Sequence, residues 1–163
     1  MSDIYDSQTY EPRKGIGYLV NRVRMELMAA VDREMASDEH LTSLEMSSAQ
    51  FTVIATLSMG IAKSASDLCK GIQYAAGAMT RMLDRLEEKG LLRRSRDPGD
   101  RRLVNLELTE KGMEALPRMR DISIRVINRL LQGFSKAEAR QMEGLLTRMM
   151  ENAVKARTTA EGE

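Results

Sequence analysis

Apolar side chains recur every three or four residues along most of this chain, which is the spacing that one face of an amphipathic α-helix produces. The pattern predicts a first long helix over residues 13–35, one face of which is formed by Ile16, Leu19, Val20, Val23, Leu27, Val31 and Met35. It predicts two more long helices near the carboxyl end, over 109–133 and from Ser135 to about Arg157. On the first of these, Met119, Ile122, Val126, Leu130 and Phe134 lie near one face. On the second, the expected inward residues are Met142, Leu145, Met149 and Ala153 or Val154.

Short helices are predicted between these long ones from their end signals. Ser47 and Gln50 have the spacing of a capping box, in which each side chain accepts the backbone N–H of the other. Gly60 ends that helix, and Ser64 and Asp67 mark the start of the next one. The stretch 37–46 contains turn formers, so it is predicted to be a connector that can hold one short helical turn.

A further helix is predicted over residues 75–89, where Gly90 closes it in a left-handed conformation. Its expected inward residues are Met79, Met82, Leu83 and Leu86. The capping box at Ser135 and Glu138 likewise starts the last helix.

The period then changes to that of a β-hairpin over 91–95 and 103–108. Val104, Leu106 and Leu108 alternate with Asn105 and Glu107, which predicts a half-buried strand. Asp97-Pro98-Gly99 has the chemistry of a turn. Thr109 is expected to cap the following helix, in which Pro117 predicts a kink or a restart.

Composition supports a mostly helical protein of one domain. The chain has 163 residues, of which 42% are hydrophobic and only 4% aromatic, and this balance favours helices over strands. We predict a flexible arm over 1–12, a single domain over 13–157 and a frayed tail over 158–163.

Cysteine and histidine are too few for most metal or redox chemistry. Cys69 and His40 are the single residues of their types, so we expect no disulfide, no metal site and no cofactor. The polar amino-terminal stretch lacks a signal core, and no run of about 18 apolar residues exists. We therefore predict a cytoplasmic protein that has no membrane partner.

Charge is distributed unevenly although the net charge is only +1. Residues 81–102 contain eight basic and five acidic side chains, so this segment carries +3 and the rest of the chain −2. A local basic surface is an electrostatic footprint of nucleic-acid binding. Taken alone, such charges are also consistent with a solvated helix face, or with arginines that discourage pairing at a sheet edge.

The order of elements over 47–108, short helices followed by a hairpin, is that of a winged helix-turn-helix. The last short helix can then lie in the major groove of DNA, whose width admits an α-helix. Ala75, Ala76, Gly77 and Ala78 at its start are small enough to approach the groove, and Thr80, Arg81 and Arg85 supply polar contacts. The hairpin tip can reach the minor groove, where Asp100 would orient Arg102 for insertion.

The long helices predict a homodimer, because a small winged domain cannot cover all their apolar faces. Pairing with a second copy removes that surface from water. We expect 13–36 and 109–157 to be the dimerisation helices, although a monomeric bundle in which they fold back is the alternative.

Residues 77–112, GAMTRMLDRLEEKGLLRRSRDPGDRRLVNLELTEKG, resemble the signature of the multiple-antibiotic-resistance regulator (MarR) family. The specific parts are TRMLDRLEEKG, DPGDRR and LTEKG, and a weaker resemblance extends over about 13–155. It implies a homodimer whose two winged domains read a palindromic operator in double-stranded DNA. Thr80, Arg81 and Arg85 match positions that face the major groove or phosphates, Arg96 and Arg101 fit phosphate contacts, and Asp100 and Arg102 match the wing acid and its minor-groove arginine.

One position departs from the family pattern. Family members often have Asp or Ser at the start of the recognition helix, where this chain has Ala75. A poor N-cap costs about 1 kcal/mol, so this end is expected to fray until DNA orders it.

The resemblance also implies a small aromatic or phenolic acid effector that binds where the dimer helices meet the winged domain. Tyr18, Arg22 and His40 are candidates for its polar contacts. Methionines such as Met113 either fill the core or line an adaptable apolar space, and Cys69 is expected to be a buried structural thiol.

The sequence therefore predicts a dimeric DNA-binding transcriptional regulator, a repressor released by its effector. The alternative is a helical interaction module whose winged domain docks protein instead of DNA. We expect no enzymatic activity, since no catalytic constellation of residues is present.

Overall fold

The computed structural model describes residues 3–72, 74–96, 99 and 104–160. Within these ranges the helices are α1 (Ile16–Met35), α2 (Glu39–Ser43), α3 (Ser48–Ser58), α4 (Ala65–Ile72), α5 (Ala76–Glu88), α6 (Glu110–Leu130) and α7 (Lys136–Ala160). Two strands, β1 (Leu92–Arg96) and β2 (Val104–Leu108), pair antiparallel between α5 and α6. The predicted fold class, a mostly helical winged helix-turn-helix with a hairpin wing, is confirmed. The segment predicted to be a connector contains α2 as a short helix.

The chain divides into two compact units, Met1–Val126 and Ile127–Glu163. The core of the first unit is formed mainly by fully buried side chains of α3, α4, α5, the hairpin and α6. These include Val53, Ile54, Leu68, Met79, Leu83, Leu86, Leu91, Leu92, Ala115, Met119, Ile122 and Val126. Val31 and Met35 bring the end of α1 into the same core.

The helix ends follow the predicted local signals. Ser47 and Gln50 form a complete capping box, with N···O distances of 3.3 and 3.2 Å. The Asp67 N–H donates to Ser64 Oγ at 3.2 Å, while Asp67 Oδ2 accepts the Ser64 N–H at 3.0 Å. Gly90 has a φ of +69°, the left-handed conformation predicted for it.

Leu106 attaches the second strand of the wing to the helices. The Leu106 N–H donates to the Lys63 carbonyl in the α3–α4 loop at 2.8 Å, and Leu106 itself is 7% exposed. The expected inward placement of Val104 is wrong, because it is 42% exposed. Val104 pairs with Arg96 at the tip end of the strands, where the core no longer covers the sheet. The predicted turn residues Asp97 and Pro98 lie outside the described residues.

Helix α6 continues through Pro117 without a break, so the predicted restart is wrong. Proline removes one helical hydrogen bond, but Ala115 and Met119 on either side of it are buried in the core and hold the helix in place. Leu130 and Phe134, predicted to lie near the same face as Met119, are exposed.

The apolar faces of the other long helices are covered only in part. On α1, Ile16, Leu19, Val20 and Val23, which belong to the predicted apolar face of the helix, are exposed. On α7, Met142, Leu145, Met149 and Val154 are exposed, although they were predicted to face inward. Burial on α1 begins only at its carboxyl half, since Leu27 is partly buried and Val31 and Met35 are buried.

The start of α6 packs directly on the end of α5. Thr109 Oγ1 donates to the Gly90 carbonyl at 2.6 Å and accepts the Gly112 N–H at 3.1 Å, so it caps α6 as predicted. Gly112 is buried, and a Cβ built on it would overlap the Leu91 carbonyl oxygen. A residue without a side chain is therefore required at this contact.

We expect Gly112→Ala to destabilise the fold by about 1–3 kcal/mol, the typical cost of overpacking a close contact. Gly144→Ala is the matched control, because that helical glycine has open space around it and alanine there should stabilise α7 by about 0.5–1 kcal/mol. Denaturant unfolding of both variants measures the difference. Equal stability of Gly112→Ala and the wild type would contradict the proposed contact.

Candidate nucleic-acid interface

Helix α5 has one buried and one exposed face. Met79, Leu83 and Leu86 are buried in the core, and the helical period then directs Thr80, Arg81 and Arg85 outward. These three side chains and Gly77 are exposed. The polar candidates predicted for this helix thus lie together on the face opposite the core.

The start of α5 lacks a side-chain cap. Ala75 is its N-cap residue and makes no side-chain hydrogen bond to the helix. Thr80 Oγ1 donates to the Ala76 carbonyl at 3.0 Å, which leaves the hydroxyl oxygen available as an acceptor. The first residues of α5 therefore have small side chains that allow close approach to its backbone, and the Thr80 hydroxyl lies one turn further along the helix.

Two arginines of the basic segment are engaged in ion pairs with the fold. The Arg94 guanidinium contacts Asp84 at 2.7 Å and Glu87 at 2.6 Å, both on α5. The Arg93 guanidinium contacts Glu107 across the hairpin at 2.6 Å. Arg94 therefore fixes the wing against α5, and both arginines carry charges that acids already neutralise.

The pKa shifts agree with this pairing. Burial alone lowers the pKa of Arg94, but the hydrogen bond that Arg94 donates to Asp84 and the attraction of Glu87 outweigh it and raise that pKa. The hydrogen bonds that Arg93 and Ser95 donate lower the pKa of Glu107. Both shifts favour the charged pairs.

Arg81, Arg85 and Arg96 differ from these, because none of the three has an ion pair within the described part of the chain. Arg81 and Arg85 are one turn apart on α5 and line a groove of 510 Å³ between that helix and residues 45–50. Arg96 is exposed at the end of β1. Within the described residues, the basic segment therefore presents three guanidinium groups without an ion pair, two on the outer face of α5 and one at the end of β1. The other predicted contacts, Asp100, Arg101 and Arg102, lie outside the described residues.

The candidate effector residues are not brought together. Tyr18 and Arg22 are exposed on α1, where Arg22 pairs with Glu26 at 2.7 Å. His40 is exposed on α2, and no hydrogen bond or ion pair joins it to either residue in the described ranges. Cys69 is a free thiol, half-buried against the core.

An apolar pocket lies between α3 and α6, and Met113, for which the sequence left open a place in an adaptable apolar space, is the one residue of its lining that the sequence indicated. The pocket has a volume of 530 Å³ and is lined by Phe51, Ala55, Ser58, Met59, Met113, Leu116, Pro117 and Arg120. The four-residue spacing of Phe51, Ala55 and Met59 was the available signal. Arg120 is the one cationic side chain among these lining residues, and Tyr18, Arg22 and His40 are not part of the lining.

Two features are absent from the described residues. No group of three or more histidine, cysteine, aspartate or glutamate side chains is arranged to hold a metal ion there. No helix in the described ranges is both long and apolar enough to cross a membrane.

The family model described as MarR family matches residues 46–104, which span α3, α4, α5 and much of the wing. Over 150 residues the chain is 32% identical to the HTH-type transcriptional regulator PecS of Dickeya dadantii, an alignment that covers 90% of this chain and 86% of that protein. The chain belongs to the MarR family. The members of this family are DNA-binding transcriptional regulators. The exposed cations of α5 agree with such a role.

Solved structures of the family share the fold. A cysteine-to-serine mutant of MarR from Escherichia coli complexed with operator DNA superposes with a TM-score of 0.71 at 25% identity, covering 91% of this chain and 99% of that one. BpsR of Bordetella bronchiseptica, whose DNA binding is regulated by 6-hydroxynicotinic acid, superposes with a TM-score of 0.72 at 25% identity, covering 86% and 96%.

Proposed function

We propose that this chain is a homodimeric repressor that binds a palindromic operator through α5 and the wing and is released by a small aromatic or phenolic acid. The observation that carries the DNA-binding face is the pair of exposed guanidinium groups of Arg81 and Arg85 on α5. A helix placed in the major groove directs such groups at base edges and phosphates. Arg96 and Arg101 would contact phosphates, while Asp100 would orient Arg102 toward the minor groove.

The dimer is supported by apolar surface that each unit leaves exposed. On α1, Val23 is 60% exposed beside Ile16, Leu19 and Val20. A second copy that covers such faces gains about 25 cal/mol for each Å² removed from water. Two-fold symmetry would place the two α5 helices about 34–36 Å apart, one turn of DNA.

Selection of binding sites from a pool of random duplexes tests the dimer and the operator together. We expect an inverted repeat whose half-site centres lie about 10–10.5 base pairs, or a multiple of this, apart. Val23→Asp should dissociate the dimer in sedimentation experiments and weaken binding to the repeat, whereas Ile61→Asp, at a similarly exposed apolar position outside α1, should leave the dimer intact. Monomers bound to a single unrepeated site would contradict the proposal.

The same operator tests which arginines contact DNA. We expect Arg81→Ala to weaken binding by about 1–3 kcal/mol if it reads a base edge, or to reduce the slope of log affinity against log salt by about 0.9 if it contacts phosphate. Arg93→Ala removes the same charge from a side chain that Glu107 already neutralises, so its effect should be much smaller. Equal effects of the two variants would contradict a specific role for the α5 face.

A protein-docking winged domain is the second candidate, and salt dependence separates it from DNA binding. Several phosphate contacts require a steep loss of affinity between roughly 50 and 200 mM salt. A flat response, or no binding to duplexes at all, would favour protein docking. The proposal assigns no catalytic step to the chain.

The pocket between α3 and α6 supports the effector part of the proposal. Its lining is mostly apolar and contains one guanidinium, that of Arg120, and such a combination fits an aromatic ring that bears a carboxylate. Because a ligand shifts an equilibrium only through differential affinity, the acid must bind the released form better than the DNA-bound form.

We expect 6-hydroxynicotinic acid or a hydroxybenzoic acid to release the operator complex in a titration followed by fluorescence anisotropy. Arg120→Met should abolish release by removing the cation from the pocket. Arg22→Met is the matched control, since Arg22 lies on α1 outside that pocket. Loss of release in Arg22→Met alone would instead assign the effector to the α1 candidates.

A further inference from the structure

Lys89 belongs to the basic segment but is placed differently from the arginines beside it. It is the C-cap residue of α5. Its side chain crosses to the α2–α3 junction, where Nζ donates to the Glu45 carbonyl at 2.6 Å and to Gln50 Oε1 at 3.3 Å. The ammonium thus connects the carboxyl end of the recognition helix to a neighbouring part of the fold.

Both acceptors are themselves held in place. Gln50 is buried, and its Oε1 also accepts the Ser47 N–H that closes the capping box of α3. Glu45 has a φ of +47°, a left-handed conformation that is uncommon for a residue with a side chain. The Lys89 ammonium therefore binds a rigid corner and not a mobile loop.

The start of α3 is also hydrogen-bonded to α1. Asp32 Oδ1 accepts the Ser48 N–H at 2.6 Å, so the start of α3 is bonded to α1 on one side and to Lys89 on the other. Polar contacts consequently run from α1 through the start of α3 to the end of α5.

Lys89 is poorly suited to a phosphate contact in this arrangement. Two of the three ammonium N–H groups already have acceptors. Burial lowers the pKa of Lys89, and the nearby Arg85 lowers it further against the attraction of Glu45. A move toward DNA would leave Glu45 and Gln50 without this donor.

We propose that Lys89 is a positioning residue that fixes the carboxyl end of α5 against the start of α3 and does not contact DNA. This inference rests on the proposed role of α5 as the helix that reads DNA. Loss of the link lets α5 tilt, which weakens operator-specific contacts. Attraction between the remaining cations and phosphates does not depend on that angle and persists.

The test compares Lys89→Met with Arg85→Ala on two duplexes of equal length, the operator selected from random sequences and an unrelated sequence. Because α5 is no longer held at one angle to the operator, we expect the operator affinity of Lys89→Met to be about tenfold lower. Its affinity for the unrelated duplex and its salt slope should stay at wild-type values. Arg85→Ala should instead make the slope shallower by about 0.9 on both duplexes.

A salt slope that falls by about 0.9 in Lys89→Met would overturn the proposal and assign Lys89 to phosphate. An unchanged operator affinity would overturn it too. If wild-type protein shows no salt-dependent binding to either duplex, the proposed function fails. If wild type and Arg85→Ala behave as expected and Lys89→Met alone does not, only the inference fails.

A measurement on the wild-type protein avoids any folding defect of the variant. Hydrogen bonds slow proton exchange, so the Lys89 ammonium should give an isotope-edited NMR signal in the free protein at mildly acidic pH. The expected result is that this signal keeps its position when operator duplex is added. A large shift on DNA binding would show that the ammonium changes partners and would overturn the positioning role.

Discussion

The burial of one face of α5 is the constraint on which the rest of the interface depends. Met79, Leu83 and Leu86 must pack into the core together, and the helical period of 3.6 residues then leaves no choice about where Arg81 and Arg85 point. The start of α6 packs against the end of the same helix, where Thr109 bonds to the Gly90 carbonyl and Gly112 contacts the Leu91 carbonyl. The cationic face is thus a geometric consequence of how the core is filled.

Within the described part of the basic segment, some cations form ion pairs or hydrogen bonds with the fold, and the others remain free to contact a ligand. Asp84, Glu87 and Glu107 neutralise Arg93 and Arg94, and the Glu45 carbonyl takes the ammonium of Lys89. What remains on the outer face is a small set of guanidinium groups directed to one side. The structural pairs hold the wing and α5 in a fixed relation, which the proposed contacts with two adjacent grooves of DNA require.

Local rules made most of the secondary structure predictable from the sequence. The capping pair Ser47 and Gln50, the left-handed Gly90 and the cap Thr109 depend on residues a few positions apart. Features that depend on distant packing were not predictable. The exposure of Val104, the continuity of α6 through Pro117 and the pocket between α3 and α6 arise only when separate elements meet. Likewise, the sequence alone does not distinguish Arg93 from Arg81, because their difference lies in the position of Glu107 across the hairpin.

The central claim is that the outer face of α5 meets DNA, and backbone-amide NMR with the selected operator duplex tests it most directly. The account predicts that the largest shifts occur at Gly77, Thr80, Arg81 and Arg85 and at the end of β1 near Arg96. Amides of α7 and of the pocket between α3 and α6 should respond less. Shifts confined to those regions, with α5 unaffected, would contradict the account.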